Sequence, residues 1–552
     1  MALNFADLFE HAADAFAERT AVACGDRQVT YRELEERANR LAHHLAGLGV
    51  GPGDHVGLYA RNSIEAIETL LATCKLRAAA VNINYRYVEN ELQYMLADSD
   101  PVALVYDRRL APVVARAAGA GPGLRGLVEI DDGTLPFTMG PDNEASSSAT
   151  DYDAALAAAS GARDFPPRSA DDVYIIYTGG TTGYPKGVMW RHEDIWRTLA
   201  GGIDFVTGEP TPDEWAQSRK GLDNGEFVKL CAAPLIHGNA QVAALAGLFS
   251  GETIVMLPAF DAREIWRVVQ RHHVNVLVII GDAMARPLVE AYADGDYDVS
   301  SLVAMSSSAA LFSPAVKDAC AKALPDVVIT EAIGSTETGF AGISFVSAGE
   351  PHRGGPTVMA GPDVIVLGDD GQPAAPGQVG RLARGGHVPL GYYKDPARTA
   401  AMFAEVQGQR YAIPGDMARV EDDGTITLLG RGNTCVNTGG EKVFPEEVEG
   451  ALKSHPDVFD ALVIGVPDER LGQRVAALVQ LRPGAPADLG VLQEHVRRQL
   501  AGYKVPRSIW VADAIRRTVS GKADYGWARA YAASHAPGLD RTSGAHSPTV
   551  PR

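Results

Sequence analysis

The chain has 552 residues, which exceeds the size of a single hydrophobic core, so two or more domains are expected. Its formal net charge is −19 at pH 7. This acidic balance argues against a nucleic acid or an anionic membrane as a resting partner, because both require a basic surface.

The cysteines stand far apart, without a C-x-x-C pair, at Cys24, Cys74, Cys231, Cys320 and Cys435. This pattern predicts reduced, mostly buried thiols, and neither a disulfide framework nor a zinc site. The N-terminus lacks the basic start and apolar run of a signal peptide. No stretch approaches the roughly 20 apolar residues of a membrane-spanning helix. We therefore expect a cytoplasmic protein without a membrane span.

Helical and strand patterns alternate through the first 430 residues. A capping box at residues 30–33 (TYRE) predicts a helix start, and residues 261–264 (DARE) predict another. Continuous apolar runs at residues 103–106, 254–257 and 276–280 suit strands that are buried on both faces. The sequence therefore predicts an α/β fold with mostly parallel sheets.

Composition suggests where this pattern is interrupted. Residues 117–170 are rich in Gly, Ala, Ser and Pro, which predicts a surface excursion. Short polar residues with a glycine at 431–434 suit a hinge. We expect an N-terminal domain of several subdomains (1–430), this hinge, a small α+β C-terminal domain (435–535) and a disordered tail (536–552).

The most informative stretch follows the apolar run at 173–177 and combines threonines, glycines and one lysine. Its members are Thr178, Gly179, Gly180, Thr181, Thr182, Gly183, Tyr184, Pro185, Lys186 and Gly187. Glycines let backbone N–H groups approach an anion, hydroxyls add donors, and Lys186 supplies a mobile positive charge. This composition predicts a polyphosphate-binding loop.

That loop is not a Walker A motif, because Pro185 precedes the lysine and Gly187 follows it. Residues 188–190 indicate a returning strand where a Walker A loop opens a helix. The alternative interpretation is an ordinary hairpin turn.

Further motifs stand at residues 234–238 (PLIHG), 334–339 (GSTETG), 414–416 (PGD), 438–442 (TGGEK) and 517–522 (RTVSGK). With the phosphate loop, they make the chain similar to the superfamily of acyl-CoA synthetases, peptide-synthetase adenylation domains and luciferases, over about residues 20–530. The residues of these motifs are most similar to those of actinobacterial acyl-CoA synthetases of the fatty-acid and steroid-degrading type. The resemblance implies two half-reactions: a carboxylate attacks the α-phosphate of ATP, and a thiol, usually that of CoA, then displaces AMP.

The resemblance also assigns roles to the nucleotide motifs. Thr336 would hydrogen-bond the α-phosphate, and Glu337 would hold Mg²⁺ together with Thr181. A carboxylate suits this role, because Mg²⁺ prefers one or two carboxylates plus phosphate oxygens. Asp416 would accept hydrogen bonds from the ribose hydroxyls, with Arg431 as a second contact. The remaining nucleotide contacts would be Ser308, Ala309, Ala310, Ile333, Gly334 and Ser335.

Lys522 is the most consequential residue by this resemblance. It would bridge the oxygen of the acid and the α-phosphate from the C-terminal domain. A preorganised donor of this kind is typically worth about 10²–10³ in rate. Taken alone, a Gly-Lys pair near a C-terminus is usually a solvated turn.

For the second half-reaction, the family rotates the small domain about a hinge that matches Asn433. The family often has Asp or Lys there, so the asparagine is a departure. After the rotation, Gly439, Gly440, Glu441 and Lys442 would line a narrow thiol channel. His237 resembles the residue that gates the acid from the thiol, and the alternative is a packed histidine.

Ala309 is a second departure, because acyl-CoA synthetases commonly have glycine at this place. A methyl group removes space from a packed pocket, so we expect an acid pocket smaller than, or shaped differently from, those of long-chain or steroid enzymes.

The leading hypothesis is an ATP-dependent carboxylate–CoA ligase that uses ATP, Mg²⁺ and CoA. Two alternatives are enzymes that also adenylate their substrate but pass it to a different acceptor. One is a ligase that loads an acyl carrier protein, and the other is a diazotase that uses nitrite and an aromatic amine. A non-catalytic nucleotide-binding module is a third, which intact Lys186, Glu337 and Lys522 argue against. The acid and the oligomeric state stay open, and homodimers are common in the family.

Overall fold

The computed structural model describes residues 3–135, 149–178, 185–310, 312–347, 355–431, 434–438, 441–468, 471–486, 488–517 and 523–540. None of the helices in these ranges is both long enough and apolar enough to span a bilayer.

The α-helices are, in chain order, α1 (Phe5–Ala15), α2 (Tyr31–Gly47), α3 (Ile64–Lys75), α4 (Glu89–Ser99), α5 (Ala111–Ala117), α6 (Tyr152–Ala158), α7 (His192–Leu199), α8 (Ala216–Asn224), α9 (Gly238–Phe249), α10 (Ala262–His272), α11 (Gly281–Ala293), α12 (Pro314–Ala323), α13 (Pro396–Met402), α14 (Pro445–Lys453), α15 (Leu489–Gln499) and α16 (Tyr525–Ser534).

The first strands are β1 (Thr20–Cys24), β2 (Arg27–Thr30), β3 (His55–Tyr59), β4 (Ala79–Asn82), β5 (Pro101–Asp107), β6 (Gly126–Ile130), β7 (Thr150–Asp151), β8 (Val173–Thr178), β9 (Lys186–Arg191), β10 (Val228–Cys231), β11 (Thr253–Met256), β12 (Val276–Ile279), β13 (Ala304–Ser307), β14 (Val328–Ser335) and β15 (Gly339–Val346). The others are β16 (Thr357–Ala360), β17 (Val364–Leu367), β18 (Val379–Arg384), β19 (Gly391–Tyr392), β20 (Phe403–Val406), β21 (Gln409–Ala412), β22 (Asp416–Val420), β23 (Ile426–Arg431), β24 (Val436–Thr438), β25 (Glu441–Val443), β26 (Val458–Asp468), β27 (Gly472–Leu481), β28 (Ser508–Val511) and β29 (Leu539–Asp540).

The two helix starts that the sequence predicts are confirmed. Thr30 and Glu33 form a reciprocal capping box at the start of α2, which buries Leu34, Leu41 and Leu45 on one face. The Asp261 carboxylate accepts a hydrogen bond from the Glu264 N–H at 2.8 Å and caps α10.

The predicted apolar strands are confirmed as β5, β11 and β12. The strands β1, β11, β10, β12, β13 and β14 lie side by side and pair in parallel. From β15 onward the same sheet continues with antiparallel pairs, so it is mixed. A second sheet, β4-β3-β5-β6-β7, is parallel throughout.

The predicted surface excursion at 117–170 is wrong for part of that segment. Strand β6 pairs with β5, and α6 packs its Tyr152 into the core. The Tyr152 hydroxyl donates to the buried carboxylate of Glu68 at 2.6 Å. Small residues dominate the composition here, yet the few large apolar ones are enough to bury these elements.

The C-terminal part, by which we mean residues 434–540, has a sheet of its own in the order β25-β24-β27-β28-β29, with β26 on β27. Its apolar side chains form two clusters that draw only on this part of the chain. Leu539 and Asp540, which the sequence places in the tail, pair with Ile509 and Ser508. The rest of the predicted tail, residues 541–552, lies outside the described residues.

Candidate active site

A cavity of about 770 Å³ opens at the carboxyl ends of the parallel strands β12, β13 and β14. Ligands of open α/β sheets bind at this edge, because the loops that leave the strands converge there. The N-terminal part contributes, among others, Asn82, Ile176, Thr178, His237, Ile280, Ser308, Ala309, Ala310, Ile333, Gly334, Ser335, Thr336, Glu337, Phe340 and Asp416. The C-terminal part contributes Thr434, Glu446, Glu449, Arg517, Ala523 and Tyr525.

The predicted phosphate loop is carried by an antiparallel hairpin, because β8 pairs with β9 and Thr178 lies opposite Lys186. The returning strand is thereby confirmed. Gly179, Gly180, Thr181, Thr182, Gly183 and Tyr184 lie outside the described residues. A Cβ at Gly187 would meet the ring of its cross-strand partner Tyr177 at 2.7 Å, which explains the glycine after the lysine.

Lys186 lies at the base of this loop. Its Nζ is 3.5 Å from Oδ2 of Asp395, and its side chain is 24% exposed. Asp395 also caps α13, since it accepts a hydrogen bond from the Arg398 N–H at 3.0 Å. A partly exposed ion pair of this length is weak, so the lysine can exchange its partner for a phosphate.

The motif at 334–339 is a tight turn between β14 and β15. The Ser335 N–H donates to Oγ1 of Thr338 at 3.0 Å, and the Thr338 N–H donates to Oγ of Ser335 at 3.1 Å. A Cβ at Gly334 would meet the Gly339 carbonyl oxygen at 2.1 Å, so the first glycine of the turn is required. Thr336 and Glu337 both line the cavity from this rigid turn.

Strand β9 joins the turn to the phosphate loop. Trp190 Nε1–H donates to the carbonyl oxygen of Thr336 at 2.9 Å. Tyr392, on β19 beside β9, donates its hydroxyl to Oε1 of Glu337 at 2.9 Å. These hydrogen bonds therefore fix the position of the 334–339 turn relative to the predicted phosphate loop, although some 150 residues separate the two motifs in sequence.

Glu337 can serve as a ligand for a Mg²⁺ ion that arrives with a nucleotide. The part of the chain that the structure describes holds no group of three His, Cys, Asp or Glu residues able to bind a metal by themselves. One carboxylate at a cavity wall suits Mg²⁺, which takes its other ligands from phosphate oxygens and water. Thr181, the second predicted ligand, is outside the described residues.

The predicted ribose contacts lie on neighbouring strands. Asp416 begins β22, lines the cavity and pairs across the sheet with Arg431 at the end of β23. The backbone pairing places these two residues side by side, and the side chain of Arg431 is not described, so their contacts to a ribose stay predictions.

Ala309 lies on the loop that leaves β13 and adopts a φ of +65°. A residue with a Cβ is strained there by about 1–2 kcal/mol, which is why a glycine is the expected residue. The strain stands at the wall of the cavity, as is common for functional loops.

His237 lines the cavity at the N-cap of α9, and its backbone N–H donates to the Pro234 carbonyl oxygen at 3.0 Å. The side chain of Asn82 locks the backbone beside it, donating to the carbonyl oxygens of Tyr177 at 2.9 Å and Ile236 at 2.6 Å. It also accepts a hydrogen bond from the Tyr177 N–H at 2.8 Å. Sequence reasoning gave Asn82 no role, and an asparagine at the end of the buried strand β4 was the available signal.

Glu331 is a second residue that sequence reasoning missed. It lines the cavity from β14, is 3% exposed and pairs with Lys317 of α12. Burial raises the pKa of its carboxyl, and the Lys317 ammonium opposes that shift. The signal was a lone carboxylate in strand β14, whose other residues are all uncharged.

The C-terminal part reaches the cavity through a segment on either side of the predicted lysine. Arg517 and Ala523 form an isolated β-bridge, and both line the cavity. Arg517 is held by Asp460 through hydrogen bonds of 2.8 and 2.6 Å. Lys522 lies outside the described residues, as do Asn433, Gly439 and Gly440, whereas Glu441 and Lys442 are described only as backbone of β25.

Two family models match the chain. The model for AMP-binding enzymes matches residues 9–393, and the model for the AMP-binding enzyme C-terminal domain matches residues 447–522. The chain belongs to the AMP-binding enzyme family.

Relatives in this family match nearly the whole chain. A 3-oxocholest-4-en-26-oate–CoA ligase of Rhodococcus rhodochrous is 54% identical, over 96% of this chain and 96% of its own length. A medium/long-chain-fatty-acid–CoA/3-oxocholest-4-en-26-oate–CoA ligase of Mycobacterium tuberculosis H37Rv is 52% identical, with the same coverage of both chains.

Two solved structures share the fold. The ATP-bound MatB from Rhodopseudomonas palustris is 26% identical, with a TM-score of 0.78 over 96% of this chain and 98% of its own. The anthranilate CoA ligase AuaEII, crystallised with anthranoyl-AMP, gives a TM-score of 0.80 at 24% identity over 96% of each chain, which bears on the fold alone.

Proposed function

We propose that this family member is an ATP-dependent acyl-CoA synthetase, which adenylates a carboxylic acid and transfers the acyl group to CoA. Two relatives that are more than half identical over 96% of their length are named as CoA ligases. The observation that carries the proposal is one cavity lined by the 334–339 turn, by Asp416 and by the residues that flank 518–522.

In the first half-reaction, a carboxylate oxygen of the acid forms a bond to the α-phosphorus of ATP, and the bond from that phosphorus to the bridging oxygen breaks. The products are acyl-AMP and pyrophosphate. The negative charge that develops on phosphate oxygens requires fixed donors and cations. Lys186 would hold the outer phosphates, Thr336 the α-phosphate, and Lys522 the attacking acid.

A Mg²⁺ ion held by Glu337 would neutralise phosphate charge when the nucleotide is bound. Tyr392 keeps the Glu337 carboxylate turned towards the cavity through its hydrogen bond to Oε1. The role of Asp416 is to accept hydrogen bonds from the ribose and so fix the α-phosphate relative to the turn.

In the second half-reaction, the sulfur of CoA attacks the acyl carbonyl carbon, the bond to the phosphate oxygen breaks, and AMP leaves. We propose that the C-terminal domain rotates about Asn433 for this step and brings Gly439, Gly440, Glu441 and Lys442 to the cavity. His237 would separate the acid from the incoming thiol.

The acid is proposed to be apolar and bulky. Its support is the apolar wall made by Ile176, Ile236, Ile280 and Phe340, together with the steroid and fatty acids named for the relatives. Phe205 packs against Phe340 from outside, with ring centroids 4.6 Å apart, and thickens this wall. The effect of the Ala309 methyl group on the size or shape of the acid pocket stays a prediction.

Pyrophosphate release tests the proposal, with purified enzyme, ATP and Mg²⁺. The panel covers short aliphatic, long aliphatic, aromatic and steroid acids plus nitrite, each with and without CoA. We expect pyrophosphate release that depends on an apolar acid. With CoA present, we also expect mass spectrometry to detect the CoA thioester of that acid. Glu337→Gln should lower it strongly, while Glu405→Gln, which alters an exposed carboxylate of β20, should not.

Release with nitrite alone, or acyl transfer only to a carrier protein, would contradict the proposal. A cytoplasmic location and a homodimer also remain proposals, which fractionation of the source cells and light scattering of the purified protein would check.

A further inference from the structure

Helix α11 connects the cavity to the C-terminal part of the chain. It begins directly after the cavity residue Ile280, and its first N–H, from Gly281, donates to Oγ of Ser307 at 3.0 Å. Asp282, Arg286 and Glu290 follow at intervals of four residues, so they lie on one side of the helix. We call these three side chains the α11 face.

Each member of the α11 face meets a partner from the C-terminal part. Asp282 Oδ2 lies 3.6 Å from Nζ of Lys453, at the end of α14. The Arg286 guanidinium stands 5.5 Å from the ring centroid of Phe459 on β26.

The third contact of the α11 face is an ion pair made by Glu290. Glu290 Oε1 lies 3.7 Å from Nη1 of Arg482, which directly follows β27. Arg482 also stacks on Phe459, 5.8 Å from its ring centroid. The aromatic ring is therefore held between an arginine of α11 and an arginine of its own part of the chain.

This contact is coupled to the cavity over a short path. Asp460, the neighbour of Phe459, holds Arg517 through two hydrogen bonds, and Arg517 lines the cavity. One turn before Lys453, Glu449 lines the cavity as well and accepts hydrogen bonds from Tyr525 and from the Val463 N–H. Whatever fixes Phe459 and Lys453 against α11 thus also fixes the segment that flanks residues 518–522.

The two ion pairs differ in burial. The Glu290–Arg482 pair at 3.7 Å lies at the rim, where the two side chains are 53% and 39% exposed. The Asp282–Lys453 pair at 3.6 Å is largely buried, with side chains that are 16% and 1% exposed. The exposed pair is individually weak and can form and release, while the charges along the α11 face favour one alignment of the two surfaces.

We propose that Asp282, Arg286 and Glu290 are positioning residues, which seat the C-terminal part for adenylation and not for acyl transfer. The proposal rests on the proposed function and deepens it, since it assigns one arrangement of the chain to one half-reaction. None of the three needs to touch the reacting atoms.

Charge reversal with rescue tests the proposal. Glu290→Arg and Arg482→Glu each place like charges opposite one another, and the double variant restores an opposite pair. We expect each single variant to slow acid-dependent pyrophosphate release at least about fivefold, while transfer to CoA from supplied acyl-AMP stays within about twofold of wild type. The double variant should regain most of the lost adenylation rate.

The matched control is Arg498→Glu, the same charge change on α15, where the arginine is 76% exposed and faces Glu494 of its own helix. It should leave both half-reactions unchanged. Equal losses in both half-reactions, or a double variant as slow as the singles, would overturn the inference.

Hydrogen exchange of residues 281–293 gives a readout that does not depend on catalysis. The single reversals should increase exchange there and the double variant should restore protection. If the wild type releases no pyrophosphate with any acid, the proposed function fails, and the exchange data still decide whether the α11 face seats the C-terminal part. Unchanged exchange in all three variants would contradict it.

Discussion

The Tyr392 hydroxyl lies 2.9 Å from Oε1 of Glu337 and donates a hydrogen bond to it, across 55 residues of sequence. This contact joins the short strand β19 to the turn that carries the proposed metal ligand. It makes the orientation of a cavity carboxylate depend on a residue outside every nucleotide motif.

Tyr392→Phe should therefore weaken Mg²⁺–ATP binding without unfolding the protein. The loss of one hydrogen bond to a charged group is worth about 1.5–3 kcal/mol, which corresponds to a roughly tenfold or larger rise in the KM for Mg²⁺–ATP. The measurement is pyrophosphate release as a function of ATP at fixed Mg²⁺. Tyr393→Phe is the control, because that hydroxyl binds Asp100 at 2.9 Å. Equal KM values for the two variants would argue against the role given to Tyr392.

Lys522→Ala should lower adenylation by about 10²–10³-fold, because a preorganised ammonium is lost where charge develops. Transfer of the acyl group from supplied acyl-AMP to CoA should remain largely intact. Lys504→Ala removes another lysine of the C-terminal part, which pairs with Glu447 at 2.7 Å, and should leave both rates close to wild type. An equal loss of both half-reactions in Lys522→Ala would show that the lysine is not specific to the first step.

Ala309→Gly should relieve backbone strain and widen the cavity. Since Ala309 has a φ of +65°, glycine removes about 1 kcal/mol of strain, which roughly offsets the entropy that glycine adds to the unfolded chain. We expect an unchanged or slightly higher Tm and a lower KM for large acids relative to small ones. Ala310→Gly, at a neighbouring residue that lines the same cavity without a positive φ, should lower the Tm. A drop in Tm for Ala309→Gly would refute the strain argument.

Acid should destabilise the anchor of helix α1 through His192. The Phe5 N–H donates to Nδ1 of this buried imidazole at 3.0 Å, and burial lowers the pKa of His192 to about 4. The unfolded chain binds the extra proton below pH 6.5, so stability is fully present above that pH. Up to about 3 kcal/mol is lost as the pH falls towards 4.

The test compares the Tm of wild type and His192→Gln between pH 7.5 and 4.5. At neutral pH the Tm of the variant should be lower than that of the wild type. On acidification the Tm of the variant should fall less, so the difference in Tm between the two proteins narrows. His535→Gln, at an exposed position, should follow the wild type. A constant difference at all pH values would contradict the role given to His192.

The motifs named several residues that the structure places around one cavity, and the roles given to those residues stay predictions. Thr336 and Glu337 line the cavity from one tight turn whose local sequence fixes its shape, and Asp416 lines it from the start of β22. Glu331 and Tyr392 were not foreseen, since their roles come from elements that are distant in sequence. The α11 face also needed the fold, because its three charges are typical of an ordinary solvated helix until their partners are known.

The predicted fold class is confirmed, and the details of the fold that the sequence missed have a similar origin. Apolar runs correctly predicted β5, β11 and β12, but they carry no information on the direction of the neighbouring strand, and the large sheet is mixed from β15 onward. Segment 117–170 was judged by its average composition, which hid the buried strand β6.

Strand β9 carries Lys186 and Trp190 on the same side, four residues apart, with one committed to the phosphate loop and the other to the Thr336 carbonyl. Side chains alternate along a strand, so a single residue inserted between them would turn one of the two away from its target. A chain that gained or lost one residue within 186–190 is therefore expected to bind a nucleotide more weakly, because Lys186 and Trp190 could no longer both face their proposed targets.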